Sequence, residues 1–479
     1  MSLTPRLWPL AALACACLTL TGDARAQTPS QIGRDPMGVL HTLETATDAR
    51  SVAVRRQIEA GPADLARARA EIAGDGVSPD PAGLQKPLPP PDRNAAPLYQ
   101  KLFQLLRDKP LGLPIYAQPL TADHTYTPEQ LAVVQKIYGS RPDVWALLHQ
   151  AADRPQCVWT RNWSEGAGIL FPEFQQIREA ARLLNTETYL LAAQGRYAEA
   201  VQNQTRGFRV AEHAASDPVL ISYLVGNACE AITLTGMRGI LDMAGPNAAV
   251  DAQVRAAIET SRPRLSLRYA LAGEVGVQAT GLQQMQDALD KEGVRGVAEI
   301  FVGKGDPLLK RLPPGTPADR RFAQDWLDES EAILLTRMRP LLAAADLTPV
   351  PRRQAFAQEA QVAAPDSVLT LLPNMVLPVF AQVDSNETRR VALEEVTVAA
   401  AVVLASRAKT GAFPDALPEP FADPYTSKPL LYRREGADGF VVYSAGPDGK
   451  YDGGKSGEKM ALGQVGFRYP VLKTPATSR

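Results

Sequence analysis

One segment near the C-terminus has a pattern typical of nucleotide chemistry. Residues 449–456 read GKYDGGKS, which matches the phosphate-binding pattern G-x-x-x-x-G-K-[ST]. Such a loop must open a helix whose amide groups face the phosphates, and later strands must supply a magnesium-binding Asp. Only 23 residues follow Ser456, and Gly457 and Pro470 are among them. The sequence therefore predicts no nucleotide site.

Histidines and aromatic residues also fail to form a catalytic pattern. The four histidines are scattered without metal-ligand spacing, and HExxH, CxxC and G-x-S-x-G are all absent; they are His41, His124, His149 and His213. Five aromatic residues lie within one helical hairpin and its loop, namely Tyr138, Trp145, Trp159, Trp163 and Phe171. They could line a sugar- or peptide-binding groove, but the pattern favours a packed core under the loop.

The N-terminus resembles a secretory signal. Arg6 precedes an apolar run from Leu7 to Leu20, and Ala24-Arg25-Ala26 offers a small-x-small cleavage pattern. The run is too short to span a bilayer, and no later stretch is long and apolar enough. We expect a signal peptide over residues 1–26, no membrane span after its cleavage, and a periplasmic or secreted protein.

Charge and cysteine content limit the partners. The formal net charge is −1, which gives no electrostatic attraction for nucleic acid, so we expect a protein or envelope component as partner. Cys157 and Cys229 remain after signal cleavage. They form a disulfide in an oxidising compartment or stay as two buried thiols, and their spacing does not decide between these.

Residues 27–93 are expected to hold helices and a linker. Helices are predicted over Val39–Ala60 and Ala63–Ile72. The Pro-rich stretch from Lys86 to Asp92 then predicts a stiff extended linker or an arm on the main body.

Residues 94–385 read as a helical domain. Phe174–Ala193 and Tyr197–Ala214, split by Gln194-Gly195-Arg196, predict a hairpin of two helices. Further helices are predicted from N-cap and proline signals at Thr127-Pro128, at Asp217-Pro218, and over Ala249–Ser261, Leu265–Glu292 and Asp319–Ala345. Ala363–Gln382 is apolar but holds three prolines, which predicts a kinked buried piece.

Residues 386–479 form the predicted C-terminal module. A helix over Asn386–Lys409 has an apolar second half, while Glu394-Glu395 is expected on a solvated face. Strands are predicted over Leu430–Arg434 and Gly439–Ser444, followed by a turn at 446–449.

Two resemblances follow from these motifs. The string from Ala181 to Val201 resembles the hairpin of tetratricopeptide-type repeats, although only one unit is clear. The order helix, GAFP at 411–414, DPY at 423–425, sheet and YSAGPDG at 443–449 resembles the head domain of type II secretion major pseudopilins. Those proteins carry a methylated membrane helix that this chain lacks, so filament assembly is not implied. The whole layout also resembles uncharacterised exported bacterial proteins with a helical-hairpin body.

The pseudopilin resemblance implies a calcium site. In that family the terminal loop binds calcium through carboxylates and backbone carbonyls. Here Asp448 and Asp452 stand four residues apart on a Gly-rich loop and offer hard oxygen ligands beside the carbonyl of Ser444. The alternative is that both aspartates accept hydrogen bonds from turn amides.

The expected fold class is mainly α, as layered helical hairpins, tetratricopeptide-like in part, with a small C-terminal α+β pseudopilin-like module. The absence of a catalytic pattern favours an exported non-enzymatic binding or scaffold protein of the bacterial envelope. The alternative is a hydrolase acting on an envelope polymer, with its site between the helical body and the C-terminal module.

A calcium site at Asp448 has a measurable consequence. Adding Ca²⁺ to chelator-treated protein is expected to raise the melting temperature, because an ion that binds only the folded state stabilises it. The Asp448→Asn variant is expected to lose that rise. An unchanged melting temperature in the unsubstituted protein would contradict the calcium site.

Overall fold

The computed structural model describes residues 36–111, 128–262, 265–310, 312, 315–361, 368–449 and 465–470. Over these residues the chain is mainly α-helical and ends in a small three-stranded antiparallel sheet, as the sequence predicts. The signal segment, the Thr127 N-cap and Asp452 lie outside the described residues. Within the described ranges, no helix combines the length and the apolarity that crossing a membrane requires.

The described residues form fourteen α-helices, numbered in chain order. The first seven are α1 Pro36–Thr45, α2 Ala49–Gly74, α3 Ala96–Asp108, α4 Pro128–Ser140, α5 Pro142–Ala152, α6 Glu173–Ala193 and α7 Tyr197–Ala214. The others are α8 Leu220–Ala244, α9 Ala248–Glu259, α10 Leu267–Glu292, α11 Val294–Val302, α12 Pro317–Ala344, α13 Pro349–Gln361 and α14 Leu371–Thr410. The strands are β1 Leu431–Glu435, β2 Gly439–Tyr443 and β3 Gly466–Tyr469.

The N-terminal helices divide at a different point from the predicted one. The predicted helix Val39–Ala60 is interrupted before Asp48, whose carboxylate accepts a hydrogen bond from the Ser51 amide and caps α2. α2 then continues through Pro62 to Gly74, because its apolar face packs along α12 and outweighs the lost helical hydrogen bond. The Pro-rich segment lies on the body, where Lys86 donates a hydrogen bond to the Ser216 carbonyl.

The predicted hairpin of α6 and α7 is confirmed. Gly195 turns the chain with a φ of +75°, a conformation that costs glycine least. Between the two helices Gln204 Nε2 donates to Asn185 Oδ1 at 2.9 Å in a buried site. Gly236 of α8 packs against this amide pair, since a Cβ there would lie 1.9 Å from Gln204 Nε2. The glycine therefore lets α8 approach the hairpin closely.

α8 begins at Leu220, two residues after Pro218, the predicted first helical residue. Asp217 is held by Arg161, whose Nη2 lies 2.6 Å from its Oδ2. The buried carboxylate of Glu274, from α10, accepts a hydrogen bond from the Leu220 amide at 2.8 Å. A side chain distant in sequence thus accepts the hydrogen bond of the first helical amide. A search for local N-cap residues cannot find such a partner.

Three apolar cores meet on α8. Tyr223 contributes to a core built around α2, α10 and α12, and Cys229 to a core built around α3, α5 and α6. Met237 contributes to a third core, which includes the second half of α14 and the strands. Cys157 and Cys229 are both buried free thiols, which answers the question that their spacing left open.

α14 is one continuous helix of 40 residues. The described part of the predicted kinked piece, from Leu371 onward, is its first three turns, so Pro378 does not end the helix. Residue 386, the predicted start of the C-terminal module, lies inside it. Val383 packs in the core around α12, whereas Val396 and Leu404 pack in the core that holds the strands.

A buried ion network lies on α14 between these two cores. Arg390 forms a bidentate pair with Glu387, with distances of 2.7 and 2.8 Å, and contacts Glu230 of α8 at 2.6 Å and Glu394 at 3.2 Å. Burial alone would raise the pKa of Glu387, but the charge and hydrogen bonds of Arg390 outweigh it and lower the pKa to about 2. The Arg390 guanidinium therefore keeps the Glu387 carboxylate ionised and also contacts Glu230 and Glu394.

The predicted solvated face at Glu394-Glu395 is wrong. Glu394 is buried and pairs with Arg262 at 2.7 Å as well as with Arg390. Glu395 pairs with Arg262 at 2.9 Å. These acids interrupt the apolar pattern of α14 because Arg262, in the loop after α9, and Arg390, on α14 itself, pair with them.

The C-terminal sheet has the order β1-β2-β3, with both pairs antiparallel. β1 and β2 match the two predicted strands, whereas β3 was not predicted. Phe440 and Phe467 of the sheet are buried in the same core as the apolar half of α14. This packing joins the sheet to the helix.

The Arg390 network predicts a large stability change. Replacing Arg390 by Met removes the cation that contacts the buried carboxylates of Glu230, Glu387 and Glu394, although Arg262 still pairs with Glu394, and is expected to cost about 3–5 kcal/mol of unfolding free energy. Urea denaturation measures the loss. The matched control is Arg196→Met, because Arg196 also pairs with a glutamate three residues away but is exposed, and its loss is expected to leave the unfolding free energy nearly unchanged. Equal losses in both variants would contradict the account.

Candidate binding groove

The aromatic cluster does not form a groove. Trp145, Trp159 and Trp163 are all buried, and the Tyr138 and Trp145 ring centroids lie 5.1 Å apart. This agrees with the packed core that the sequence favours.

The two described residues of the proposed calcium site differ in solvent exposure. Asp448 is exposed on the turn after β2, whereas the Ser444 side chain is buried. The Ser444 hydroxyl donates to Asp423 Oδ1 at 2.8 Å, and the Ala445 amide donates to Asp423 Oδ2 at 2.7 Å. The DPY and YSAGPDG segments are thus joined through the Asp423 carboxylate. Asp452, the second proposed carboxylate ligand, lies outside the described residues.

The described histidines lie at three separate places. His213 is buried and bonded to the Tyr99 hydroxyl at 3.0 Å, and burial lowers its pKa to about 3. His149 contacts Glu187 at 2.7 Å, and His41 contacts Asp319 at 3.1 Å. No catalytic dyad with a nucleophile results at any of these described positions.

A concave site of about 510 Å³ lies between α7 and α9, beside the C-terminal end of α5. We call it the α7/α9 groove. Its lining residues are Ala152 and Asp153 of the α5 end, Ala198, Val201, Gln202, Thr205, Arg206 and Arg209 of α7, and Gln253 and Ala256 of α9. Ligand pockets commonly have volumes of about 300–1,000 Å³.

The spacing of its residues explains the groove. Ala198, Gln202, Thr205 and Arg209 follow intervals of four, three and four, which places them on one stripe of α7. Alanines at 198 and 256 leave space where the two helices face each other. The stripe therefore lines one side of the groove, whose lining also includes small residues of α5 and α9.

Two arginines give the groove its charge. Arg206 forms a bidentate pair with Asp153, at 2.9 and 3.1 Å, which holds its guanidinium near the end of α5. Arg209 pairs with Glu212 three residues away at 3.3 Å, and its side chain is 43% exposed. An exposed pair within one helix is weak, so Arg209 can exchange its partner for a ligand carboxylate at little cost.

Asp251, at the start of α9, lies near the junction of the helical body and the sheet. It is only 1% exposed, and Oδ2 accepts a hydrogen bond from the Asn247 amide. Burial raises the pKa of its carboxyl to about 7. The alternative hydrolase site was expected at this junction. The Asp251 carboxyl is too deeply buried for a polymer to reach it.

Comparison with protein-family models, with curated proteins and with solved structures finds nothing that matches this chain.

Sequence reasoning did not identify the groove. The sequence feature that could have indicated the groove is the series of small and polar residues on one face of α7. The hairpin that contains α7 was predicted. That α9 would lie opposite this face depends on contacts between α9 and α14, which join residues more than one hundred positions apart.

The pKa of Asp251 predicts a pH dependence. The folded carboxyl keeps its proton up to about pH 7, whereas the unfolded one releases it near its ordinary value of 3.8. The folded state thus binds more protons in this window, and its contribution to unfolding free energy falls as pH rises from about 4 to about 7. The Asp251→Asn variant should lack this fall when unfolding is measured at each pH, while Asp346→Asn, at an exposed site, should retain it. Parallel curves for Asp251→Asn and the unsubstituted protein would contradict the assignment.

Proposed function

We propose that this chain is an exported, non-enzymatic binding protein of the bacterial envelope. We propose further that its α7/α9 groove binds an extended polypeptide segment that carries an acidic side chain. The observation that supports this is the stripe from Ala198 to Arg209, which places small residues, an amide, a hydroxyl and a guanidinium along one channel.

The lining suits a polypeptide backbone. Gln202 and Gln253 are exposed from opposite sides of the groove, and an amide side chain can both donate and accept hydrogen bonds. Ala198 and Ala256 allow a main chain to approach closely. Polar side chains repeated along the groove can pair with the donors and acceptors of an extended segment.

The acidic preference comes from Arg209. Its planar guanidinium can bind a carboxylate through two parallel hydrogen bonds. Arg206 is already engaged by Asp153, so Arg209 is the cation that a ligand meets first. A single carboxylate near the α7 C-terminus is therefore the expected anchor.

The finer resemblances are consistent with this proposal. A tetratricopeptide-like hairpin of α6 and α7 would offer a broad helical surface, as such repeats do for peptide partners. A pseudopilin-like module would follow it, with Asp423 joining its two motifs and Asp448 exposed for calcium. Export to the periplasm or beyond follows from the signal-like N-terminus.

The alternative of an envelope-polymer hydrolase has weaker support. It needs at least one ionisable group in a cleft at the junction of the body and the module. Asp251 has the raised pKa expected of a general acid, but its burial keeps a polymer away from it. The open groove with exposed amides favours binding.

A displayed library of random peptides tests the binding function directly. We expect enrichment of peptides with Asp or Glu at one position, and at least about tenfold weaker binding of these peptides to Ala256→Trp, whose indole fills the groove. Arg209→Ala is expected to reduce affinity and remove the preference for an acidic residue, with fluorescence anisotropy as the measurement.

Matched controls distinguish groove effects from general ones. Ala66→Trp places the same indole on an exposed alanine of α2, and Arg67→Ala removes another arginine paired within one helix. Both should bind the selected peptides like the unsubstituted protein. Peptides that bind Ala256→Trp with unchanged affinity, or a selection without enrichment, would rule out this groove as the binding site.

A further inference from the structure

Three metal-ligating side chains meet between α1 and the start of α12. They are His41 and Glu44 of α1 and Asp319 of α12, and one ligand atom from each lies within 4.8 Å of the other two. His41 Nδ1 lies 3.1 Å from Asp319 Oδ1. In a tetrahedral zinc site with bonds of about 2.0–2.1 Å, neighbouring ligand atoms are roughly 3.3 Å apart. The existing geometry is therefore close to one edge of such a site.

The position of Asp319 is fixed by the helix cap. Its Oδ2 accepts hydrogen bonds from the Thr316 amide at 2.6 Å and from the Thr316 hydroxyl at 2.7 Å, as part of a capping box. This leaves Oδ1 directed toward α1. Carboxylate ligands in metal sites are commonly oriented by hydrogen bonds of this kind.

The cluster brings two carboxyl groups and one imidazole close together. Asp319 is only 10% exposed and Glu44 is half-buried, so two carboxylates share a partly desolvated site. Among the described residues, His41 is the only basic side chain that forms an ion pair with either carboxylate. Two adjacent carboxyl groups beside an imidazole place oxygen and nitrogen ligands together, as a divalent cation requires.

A small cavity adjoins the cluster. Its volume is about 20 Å³, and its lining includes His41, Glu44 and Asp319 beside apolar residues such as Met37 and Phe322. A volume above roughly 10–15 Å³ holds one water molecule. The cavity thus offers room for a fourth, water ligand, while His41, 49% exposed, gives access from solvent.

We propose that His41, Glu44 and Asp319 bind one divalent transition-metal ion, with Zn²⁺ as the best match. One imidazole nitrogen and two carboxylate oxygens form a borderline ligand set that suits zinc better than calcium, which prefers six to eight oxygens. The ion fastens α1 to the start of α12. This site is separate from the α7/α9 groove and from the Asp448 loop.

Cobalt substitution tests the site with a spectroscopic readout. Chelator-treated full-length chain is titrated with Co²⁺, whose visible absorption reports a low-coordinate site containing nitrogen. We expect saturation at one equivalent and loss of the signal when Zn²⁺ displaces the cobalt. His41→Ala and Glu44→Gln should each weaken binding at least about tenfold. Both side chains are at least partly exposed, so these variants are expected to fold, which circular dichroism checks.

The matched control is His149→Ala. His149 also contacts a glutamate, at 2.7 Å, but belongs to no three-ligand group among the described residues. The His149→Ala variant should bind Co²⁺ like the unsubstituted chain. Absence of the cobalt signal in the unsubstituted chain would overturn the proposal. So would unchanged affinity in His41→Ala and Glu44→Gln, or an equal loss in His149→Ala.

Discussion

The structure depends on one buried arginine. Arg390 occupies the point on α14 where the core around α12 gives way to the core that holds the sheet. Taking charges out of water costs several kcal/mol for each ion, so the buried carboxylates of Glu230, Glu387 and Glu394 need a cationic partner, and Arg390 contacts all three. This requirement fixes the rotation and depth of α14 against α8. The helical body and the sheet consequently form a continuous unit rather than two domains on a linker.

The α7/α9 groove follows from that arrangement. α9 packs on α14 and also on α7, so the position of α14 sets the separation between the two walls of the groove. Arg262, which follows α9, pairs with Glu394 and Glu395 and fastens this end of α9 to α14. Alanines on the facing surfaces then leave a channel instead of a packed interface. The binding surface is thus built from local sequence, but its shape is set by the buried network.

Local signals predicted the elements that are stabilised locally. The α6/α7 hairpin was predicted from two helical periodicities of apolar residues with a glycine turn between them. β1 and β2 were predicted from two short strand-like runs, the second of which precedes the turn at Gly446. Elements held by distant partners were not predictable in this way. α8 starts at Leu220, whose amide donates a hydrogen bond to the distant Glu274 carboxylate. α14 continues past Pro378 because Phe380 and Val383, which follow it, are buried in the core. Glu394 looked like a surface residue because the arginine that pairs with it from outside α14 is 132 positions away. The candidate sites share this property, since the groove and the His41 cluster both join residues that are far apart in sequence.

Native-state hydrogen exchange measures the central claim most directly. If Arg390 joins the body and the sheet, then amides of α14 around residues 384–394, of α8 and of β2 should open with the same free energy, to within about 1 kcal/mol, in a single cooperative unit. An α14 C-terminal half that exchanges together with the sheet at a clearly lower free energy than α8 would contradict the account.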